Sequence, residues 1–381
     1  MTWETENQYQ TLKNAGIEIP VIDVLYLAGC AVNGTVPDAA RIQEMDLPAV
    51  YAVAKAHYLS AVAAYALETA GIHDERFEQA RVGAIRKCAM MDDDQESVLE
   101  ALEKAGIWYM PMKGAILKDL YPAYGIREMS DRDILFDASR AADVRTIMES
   151  LGFTTSKYNH GYHDCYQKEP VSDFEMHREI ISPYAGKKIY FYYRNVKDRL
   201  LKDDEKQQGW HFCPEDFYVF LMAHEYRHYS MSGTGLRSML DTYVYLQKIP
   251  MKMEYIAGET NKLGINAFEE TGRSLAIHLF QGGELTADEI SMLRYCISSG
   301  AYGNQRNRMQ NILSKNGRIG YFFSRLTIPY HGMVELYPVL RKVPLLYPAC
   351  WGHRLIHALF YKRERLVYQL KVGLKKKEKL S

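Results

Sequence analysis

An α+β fold, with a small mixed β-sheet flanked by N-terminal and C-terminal helical regions, is the architecture this sequence predicts. Three observations lead to it. Apolar residues recur at helical spacing through residues 1–106, short alternating runs separated by turn residues fill residues 107–198, and helical spacing returns over residues 199–381. Each region is read as a domain, the last one ending in a basic amphipathic tail.

In the first region, Ala49 to Thr69 carries alanines, valines and tyrosines at helical spacing. Arg76 to Ala105 is a charged amphipathic pattern, expected to be interrupted near Met90 to Asp94. In the second, Ile107-Trp108-Tyr109-Met110 is a short apolar run of strand type. Lys113-Gly114 then opens a helical segment, Ala115 to Leu120, that stops before Tyr121-Pro122. After Tyr124-Gly125 a strand is expected from Asp131 to Phe136, with Ile134 and Phe136 on one face and Asp131 and Asp133 on the other. His160-Gly161 and Glu169-Pro170 bracket Tyr162 to Lys168, and Val171 to Arg178 follows, which reads as two strands joined by a short turn. In the second of these strands Phe174 and Met176 alternate with Asp173, Glu175 and His177. Further helices are expected over Pro214 to Ser230, Leu236 to Gln247, Met251 to Leu263, Ala267 to Gln281 and Thr286 to Ser298. No internal repeat is visible.

The chemistry concentrates on the strand carrying Asp131 and Asp133. Residues i and i+2 of a strand share a face with Cβ atoms roughly 6–7 Å apart, close enough for both carboxylates to reach one pair of hard divalent cations. Two neighbouring carboxylates repel, so keeping both ionised needs a cation or a basic neighbour. Asp-x-Asp also occurs on solvated strand faces, and the order of the surrounding elements is what favours a metal site. A glycine beside a lysine at a helix start, Lys113-Gly114, offers N–H groups and a cation to an anion such as phosphate. Glu175, on the polar face of a later strand, is the natural third ligand; that face could equally be a wet edge. Arg127 either meets phosphate or pairs with Asp131 or Glu128. His177 either reaches the site or makes a structural hydrogen bond.

Lys-Gly, a helix, an arginine before Asp-x-Asp-Ile-Leu, Leu151-Gly152-Phe153 after an intervening helix, and the Phe174-Glu175-Met176-His177 strand together resemble the uncharacterised nucleotidyltransferase family of the DNA polymerase beta-like superfamily. The resemblance is densest from Ile107 to Arg178. It implies a nucleotidyltransferase α/β core in which Asp131 and Asp133 bind two Mg²⁺ ions and Glu175 completes the site. Gly114 matches the glycine of the superfamily's Gly-Gly or Gly-Ser motif, although this chain has Lys113-Gly114 where many members have Gly followed by Ser. Lys113, Gly114, Arg127 and Ser130 would then hold the triphosphate. The implied reaction moves a nucleoside monophosphate from a nucleoside triphosphate to an acceptor through an in-line, two-metal displacement.

A competing motif is His224-Glu225-Tyr226-Arg227-His228, a literal His-Glu-x-x-His that on a helix sets two imidazoles on one face and can bind zinc. Arg227 between the histidines departs from zinc-protease helices, and no third ligand follows at a recognised spacing, with Asp241 and Glu254 the nearest acidic candidates. The preferred role of His224 and His228 is a basic, polar face turned toward the nucleotide or acceptor, with Arg237 and Asp241 on the following helix, or an interhelical hydrogen-bond cluster. A zinc metallopeptidase and a nucleotide-binding protein without turnover are the alternatives.

Composition narrows the classes further. The formal net charge is +0 and no basic stripe or stacking platform argues for a specific nucleic acid. The six cysteines include no Cys-x-x-Cys pair, which points to reduced thiols in a cytoplasmic protein. Met1 to Gln10 is polar and acidic, unlike a signal peptide, and no run is apolar and long enough to span a bilayer. Gly317 to Pro348 interleaves aromatics with Arg318, Arg325, Arg341 and Lys342, and Trp351 to Val372 reads as a basic amphipathic helix ending in Lys375-Lys376-Lys377. Such a helix either lies on an anionic membrane surface or packs its apolar face on the domain, the reading preferred here. The base and the acceptor, whether protein, small molecule, sugar or RNA, are not specified by these residues.

Overall fold

Strands of alternating apolar and polar residues assemble here into a five-stranded mixed sheet. Its members are β1 (Tyr109–Pro111), β2 (Arg132–Phe136), β3 (Thr154–Lys157), β4 (His163–Lys168) and β5 (Ser172–His177), in the order β1-β2-β5-β4-β3. β2 and β5 run parallel and the remaining pairs antiparallel. The computed structural model describes residues 5–159, 161–182, 185–301, 303–311, 313 and 330–361.

The described helices of the first region are α1 (Thr5–Asn14), α2 (Ile19–Asn33), α3 (Ala39–Gln43), α4 (Leu47–Ala56), α5 (Ser60–Thr69) and α6 (Glu75–Lys104). Between β1 and β2 lies the one-turn α7 (Gly114–Leu117), and between β2 and β3 lies α8 (Ala141–Ser150). After the sheet come α9 (Lys187–Tyr193), the hairpin of β6 (Leu200–Lys202) and β7 (Trp210–Phe212), then α10 (Pro214–Met231), α11 (Leu236–Lys248), α12 (Met253–Leu263), α13 (Asn266–Gln281) and α14 (Ala287–Ser299). The later helices match the expected spans to within a few residues at each end, the usual scatter of helix termini.

Two expectations are corrected. Arg76 to Ala105 is not interrupted: α6 runs unbroken from its Asp74 cap. The acidic run that suggested a break is satisfied by tertiary partners. Arg132 Nη2 donates to Asp92 Oδ1 at 2.5 Å, and Lys168 Nζ and Ser172 Oγ donate to the two oxygens of Asp94 at 2.7 and 2.5 Å. These contacts tie the helix to the inner strands β2, β4 and β5 of the sheet. Conversely, the Ala49 to Thr69 pattern is two helices, α4 and α5, because the chain turns at Tyr58 with φ 57°.

The sheet buries both faces. Ile134, Phe136, Phe174 and Met176 meet Val98 and Leu102 of α6 and Val144 and Met148 of α8. On the other face Met110 and Leu135 join the core of α9, α10 and α12. A third core joins α2, α4 and α5 to α11, α13 and α14, so helices that precede and follow the sheet in sequence share one apolar interior. Ile134, Phe136, Phe174 and Met176 take one face of β2 and β5, which leaves Asp133 and Glu175, together with Leu135, on the face toward α10.

The chain divides into two units, Met1–Tyr229 with Thr234–Tyr302, and Ser230–Gly233 with Gly303–Ser381. The described part of the second contains helices Tyr330–Leu336 and Tyr347–Tyr361. Of the basic amphipathic helix expected over Trp351 to Val372, residues from 362 onward lie outside the described residues, as do His160, Arg318, Arg325 and Lys375-Lys376-Lys377. No described helix is long and apolar enough to cross a membrane.

Candidate active site

The parallel register of β2 and β5 sets Asp133 directly beside Glu175, and Leu135 beside His177. Neighbouring strands lie about 4.8 Å apart, so two carboxylates in register on one face must meet. Asp133, Glu175 and His177 each bring a ligand atom within 4.8 Å of the others. Asp131, just before β2, lines the same cleft but stands outside that trio. The cleft has a volume of about 320 Å³ and is bounded by the β2 and β5 carboxylates on one side and by α10 and α11 on the other.

Charge compensation is local. Lys113 Nζ donates to Asp133 Oδ1 at 2.7 Å, and His177 Nε2 lies 2.8 Å from the same oxygen and 3.4 Å from Glu175 Oε2. Burial alone would raise the Asp133 carboxyl, but the Lys113 ammonium and His177 outweigh it and hold Asp133 well below the ordinary carboxylate range. Glu175 is lowered as well: burial and the charge of Asp133 raise it, and the hydrogen bond and charge of His177, with His163, together outweigh them. Asp131 goes the other way, pushed up by burial and by the charge of Asp133, while Ser130 Oγ donates to its Oδ1 at 2.8 Å. His177 itself is raised, because its bonds to Asp133 and Glu175 overcome a burial that would lower it. Asp133 and Glu175 are hard oxygen donors close enough to need a cation between them, which fits a hard divalent ion, and Asp131 lines the same cleft. In this arrangement the Lys113 ammonium supplies that charge.

Lys113 is held there by its backbone. It adopts φ 49°, an uncommon conformation for a residue with a side chain and one that costs on the order of 1–3 kcal/mol. Next to it, a Cβ on Gly114 would come within 2.7 Å of Arg127 Nη1 and 2.9 Å of the Met129 methyl, so glycine lets both side chains lie against this turn where a larger residue would displace them.

Arg127 pairs with neither Asp131 nor Glu128, the partners expected for it as an ion pair. It forms a buried fork with Asp241 of α11, Nε to Oδ1 at 2.7 Å and Nη2 to Oδ2 at 2.9 Å, and Tyr121 donates to the same carboxylate at 2.8 Å. Both residues line the cleft, and each neutralises the other there. Arg237 crosses from α11 to donate to the Glu128 carbonyl at 2.9 Å and packs over Tyr58.

The two histidines of His224-Glu225-x-x-His228 do share a face of α10, with ring centroids 4.5 Å apart, and both line the cleft. Burial, reinforced by Lys113, drives His224 well below its usual value, and burial with Arg227 lowers His228 to about 4, so both imidazoles are neutral near pH 7. Glu225 does not join them: Thr234 Oγ1 donates to its Oε2 at 2.7 Å. Among the described residues neither histidine belongs to a cluster of three metal-ligating groups, and the glutamate a peptidase would need as base is bonded to α11's approach.

The sequence did not mark Tyr162, Arg227 or Lys87 as lining or supporting groups of the cleft. Arg227 Nη1 donates to the Tyr162 hydroxyl at 3.0 Å, with the guanidinium 5.3 Å from that ring, so the two side chains close one wall of the cleft. Lys87 reaches from α6 to the Ser130 carbonyl at 3.2 Å, beside Asp131. Arg227 and Tyr162 are 65 residues apart, and no local pattern marks such a pair.

No curated protein and no solved structure matches the chain. Residues 43–281, well over half of the sequence, match the family described as uncharacterised nucleotidyltransferase. This span contains both the carboxylate strands and the α10 and α11 walls of the cleft. The chain therefore belongs to the uncharacterised nucleotidyltransferase family.

Proposed function

We propose that the chain transfers a nucleoside monophosphate from a nucleoside triphosphate to an acceptor, with Mg²⁺ held by Asp131, Asp133 and Glu175. The observation that carries this reading is the register pairing of Asp133 with Glu175 at the floor of a cleft that also holds Lys113. When bound, a pair of such cations neutralises the entering and leaving oxygens of an in-line displacement at the α-phosphorus.

The chain's own residues supply the rest. Lys113 brings an ammonium to the carboxylates and, with Gly114 and Ser130, forms the wall proposed to receive the triphosphate. Arg127 is charge-matched by Asp241 and shapes that wall from behind. Glu175, kept ionised by His177 against the effect of burial, is the carboxylate able to take the acceptor's proton. His224, His228 and Arg237 face the same space from α10 and α11 and are proposed to contact the acceptor.

Incubation with each α-labelled triphosphate, Mg²⁺ and cell lysate tests this reading, by asking whether label enters protein, small-molecule or RNA fractions. Label should appear with the wild-type chain and vanish with the Asp131→Ala, Asp133→Ala double variant. Equal labelling by that variant would overturn the site assignment. Mg²⁺-triphosphate affinity with no label transferred and no pyrophosphate released would make the protein a binder without turnover.

A further inference from the structure

The carboxylate face of the sheet does not stop at Glu175. In the antiparallel register of β4 and β5, Cys165 stands opposite Glu175 and His163 opposite His177. His163 and Cys165 are two apart on one strand, so they share a face, and side chains directly opposite on adjacent strands have Cβ atoms about 5 Å apart. The outcome is a row across three strands, Asp133, Glu175 and Cys165, with His177 and His163 one step along. Hard oxygens occupy the β2 end of this row and nitrogen and sulfur donors the β4 end.

His163, Cys165 and Glu175 each offer a ligand atom within 4.8 Å of the others, and all three are half-buried, open to an ion from solution. Tetrahedral zinc with bonds of roughly 2.0–2.3 Å to nitrogen, oxygen and sulfur sets ligand atoms about 3.3–3.6 Å apart, so rotamer adjustments of about an ångström close the site. A second observation points to a missing partner. Nδ1 of His163, a member of the trio, is buried with no hydrogen-bond partner among the described residues. Buried polar atoms of this kind ordinarily find one.

We infer that His163, Cys165 and Glu175 form a binding site for a borderline-soft divalent transition metal of the zinc type, distinct in donor chemistry from the Asp131, Asp133 and Glu175 cluster. Nitrogen, sulfur and oxygen donors together select such an ion over Mg²⁺. Binding forms bonds from the metal to a histidine nitrogen, to the Cys165 sulfur and to a Glu175 oxygen, and the thiol proton passes to solvent. Glu175 is shared by the two clusters. Its capture at the β4 end removes one ligand from the cleft, so occupation by zinc lowers nucleotidyl transfer even with Mg²⁺ in excess. This inhibitory consequence rests on the nucleotidyl-transfer reading; the binding site does not.

The test uses the full chain, reduced and freed of metal, titrated with Co²⁺ alone and then with Zn²⁺, without nucleotide. The wild type should develop a cobalt–thiolate charge-transfer absorption that saturates at one equivalent and is displaced by Zn²⁺. Cys165→Ser should lose that absorption, and His163→Gln should weaken Zn²⁺ binding by at least about tenfold, the loss that even an outer-shell partner costs. Circular dichroism melts of both variants that match the wild type establish that the loss is local. A wild type without the cobalt–thiolate absorption, or a Cys165→Ser chain that retains it, overturns the site. In label transfer, one equivalent of Zn²⁺ should inhibit the wild type and spare Cys165→Ser; inhibition of both alike overturns the Glu175 coupling. A chain with no transfer activity counts against the nucleotidyltransferase reading, while the cobalt spectrum still decides the metal site.

Discussion

Lys113 Nζ and Asp133 Oδ1, twenty residues apart in sequence, lie 2.7 Å apart, so the carboxylate at the centre of the site already carries a cation. A lysine in that position has two consequences of opposite sign. On the proposed reading it competes with a divalent ion for Asp133, and it lends positive charge to an incoming triphosphate.

Lys113→Met should separate the two. With the competing ammonium gone, Mg²⁺ or Mn²⁺ should bind the nucleotide-free chain more tightly, by roughly tenfold if the charge-assisted bond is worth about 1.5 kcal/mol. Label transfer should nonetheless fall about a hundredfold, the usual loss for one preorganised electrostatic donor. Titration calorimetry of the metal beside a transfer assay reads both. A variant in which metal affinity and transfer fall together would assign Lys113 to the fold alone.

The Arg127–Asp241 fork is buried on both sides, at 6% and 5% exposure. Removing one partner strands the other charge, so Asp241→Leu should cost about 3–5 kcal/mol in urea unfolding. The Arg127→Met, Asp241→Leu double variant should recover most of that loss, because no uncompensated charge remains. A double variant as unstable as Asp241→Leu would mean that packing, not charge, dominates there.

Gly114→Ala puts a methyl where the Arg127 guanidinium and the Met129 methyl already are. Arg127 is fixed by Asp241 and cannot simply move aside, so we expect about 1–3 kcal/mol of destabilisation and a weakened triphosphate affinity. A thermal melt and a nucleotide titration identical to the wild type would show that the turn has room to relax.

His57 reports on acid stability. It is 3% exposed, accepts the Leu236 N–H through Nδ1 at 3.2 Å, and burial lowers it from 6.5 to about 4. The folded chain therefore holds His57 neutral where the unfolded chain protonates it, so stability falls as pH drops from about 6.5 toward 4 and is unaffected by this group above that window. The shift corresponds to about 3 kcal/mol at the low end. Replacing His57 with Gln, which keeps an acceptor, should flatten the decline by a comparable amount in urea unfolding measured across that range. Parallel pH curves for the two chains would contradict the assignment.

Much of the site was legible because it is built from strand periodicity. Asp133, Glu175 and His177 could be placed on polar faces from alternation with Ile134, Phe136, Phe174 and Met176, and the Lys113-Gly114 turn could be read from its residue types. What pairs with what could not. Asp241 lies 114 residues from Arg127, and Glu128, the nearer acid in sequence, instead accepts the Ala61 N–H. The acidic run in α6 looked like an interruption because its partners, Arg132, Lys168 and Ser172, come from strands that a helical pattern does not reveal. β3 was missed for a related reason: Thr154–Lys157 is an edge strand with little apolar alternation, held by its pairing with β4. The His224 and His228 pair was visible as a motif, but Glu225's bond to Thr234, which separates it from its histidines, depends on the loop before α11.

The central claim is that the β2 and β5 carboxylates hold the divalent ions the reaction needs. Electron paramagnetic resonance of Mn²⁺ added to the full chain with a non-hydrolysable triphosphate measures this directly, by counting bound ions in the wild type and in Asp133→Asn and Glu175→Gln. The account predicts two bound Mn²⁺ per wild-type chain and fewer, or far weaker, binding in each variant, with melting temperatures preserved. Mn²⁺ binding that is the same in all three chains would contradict it.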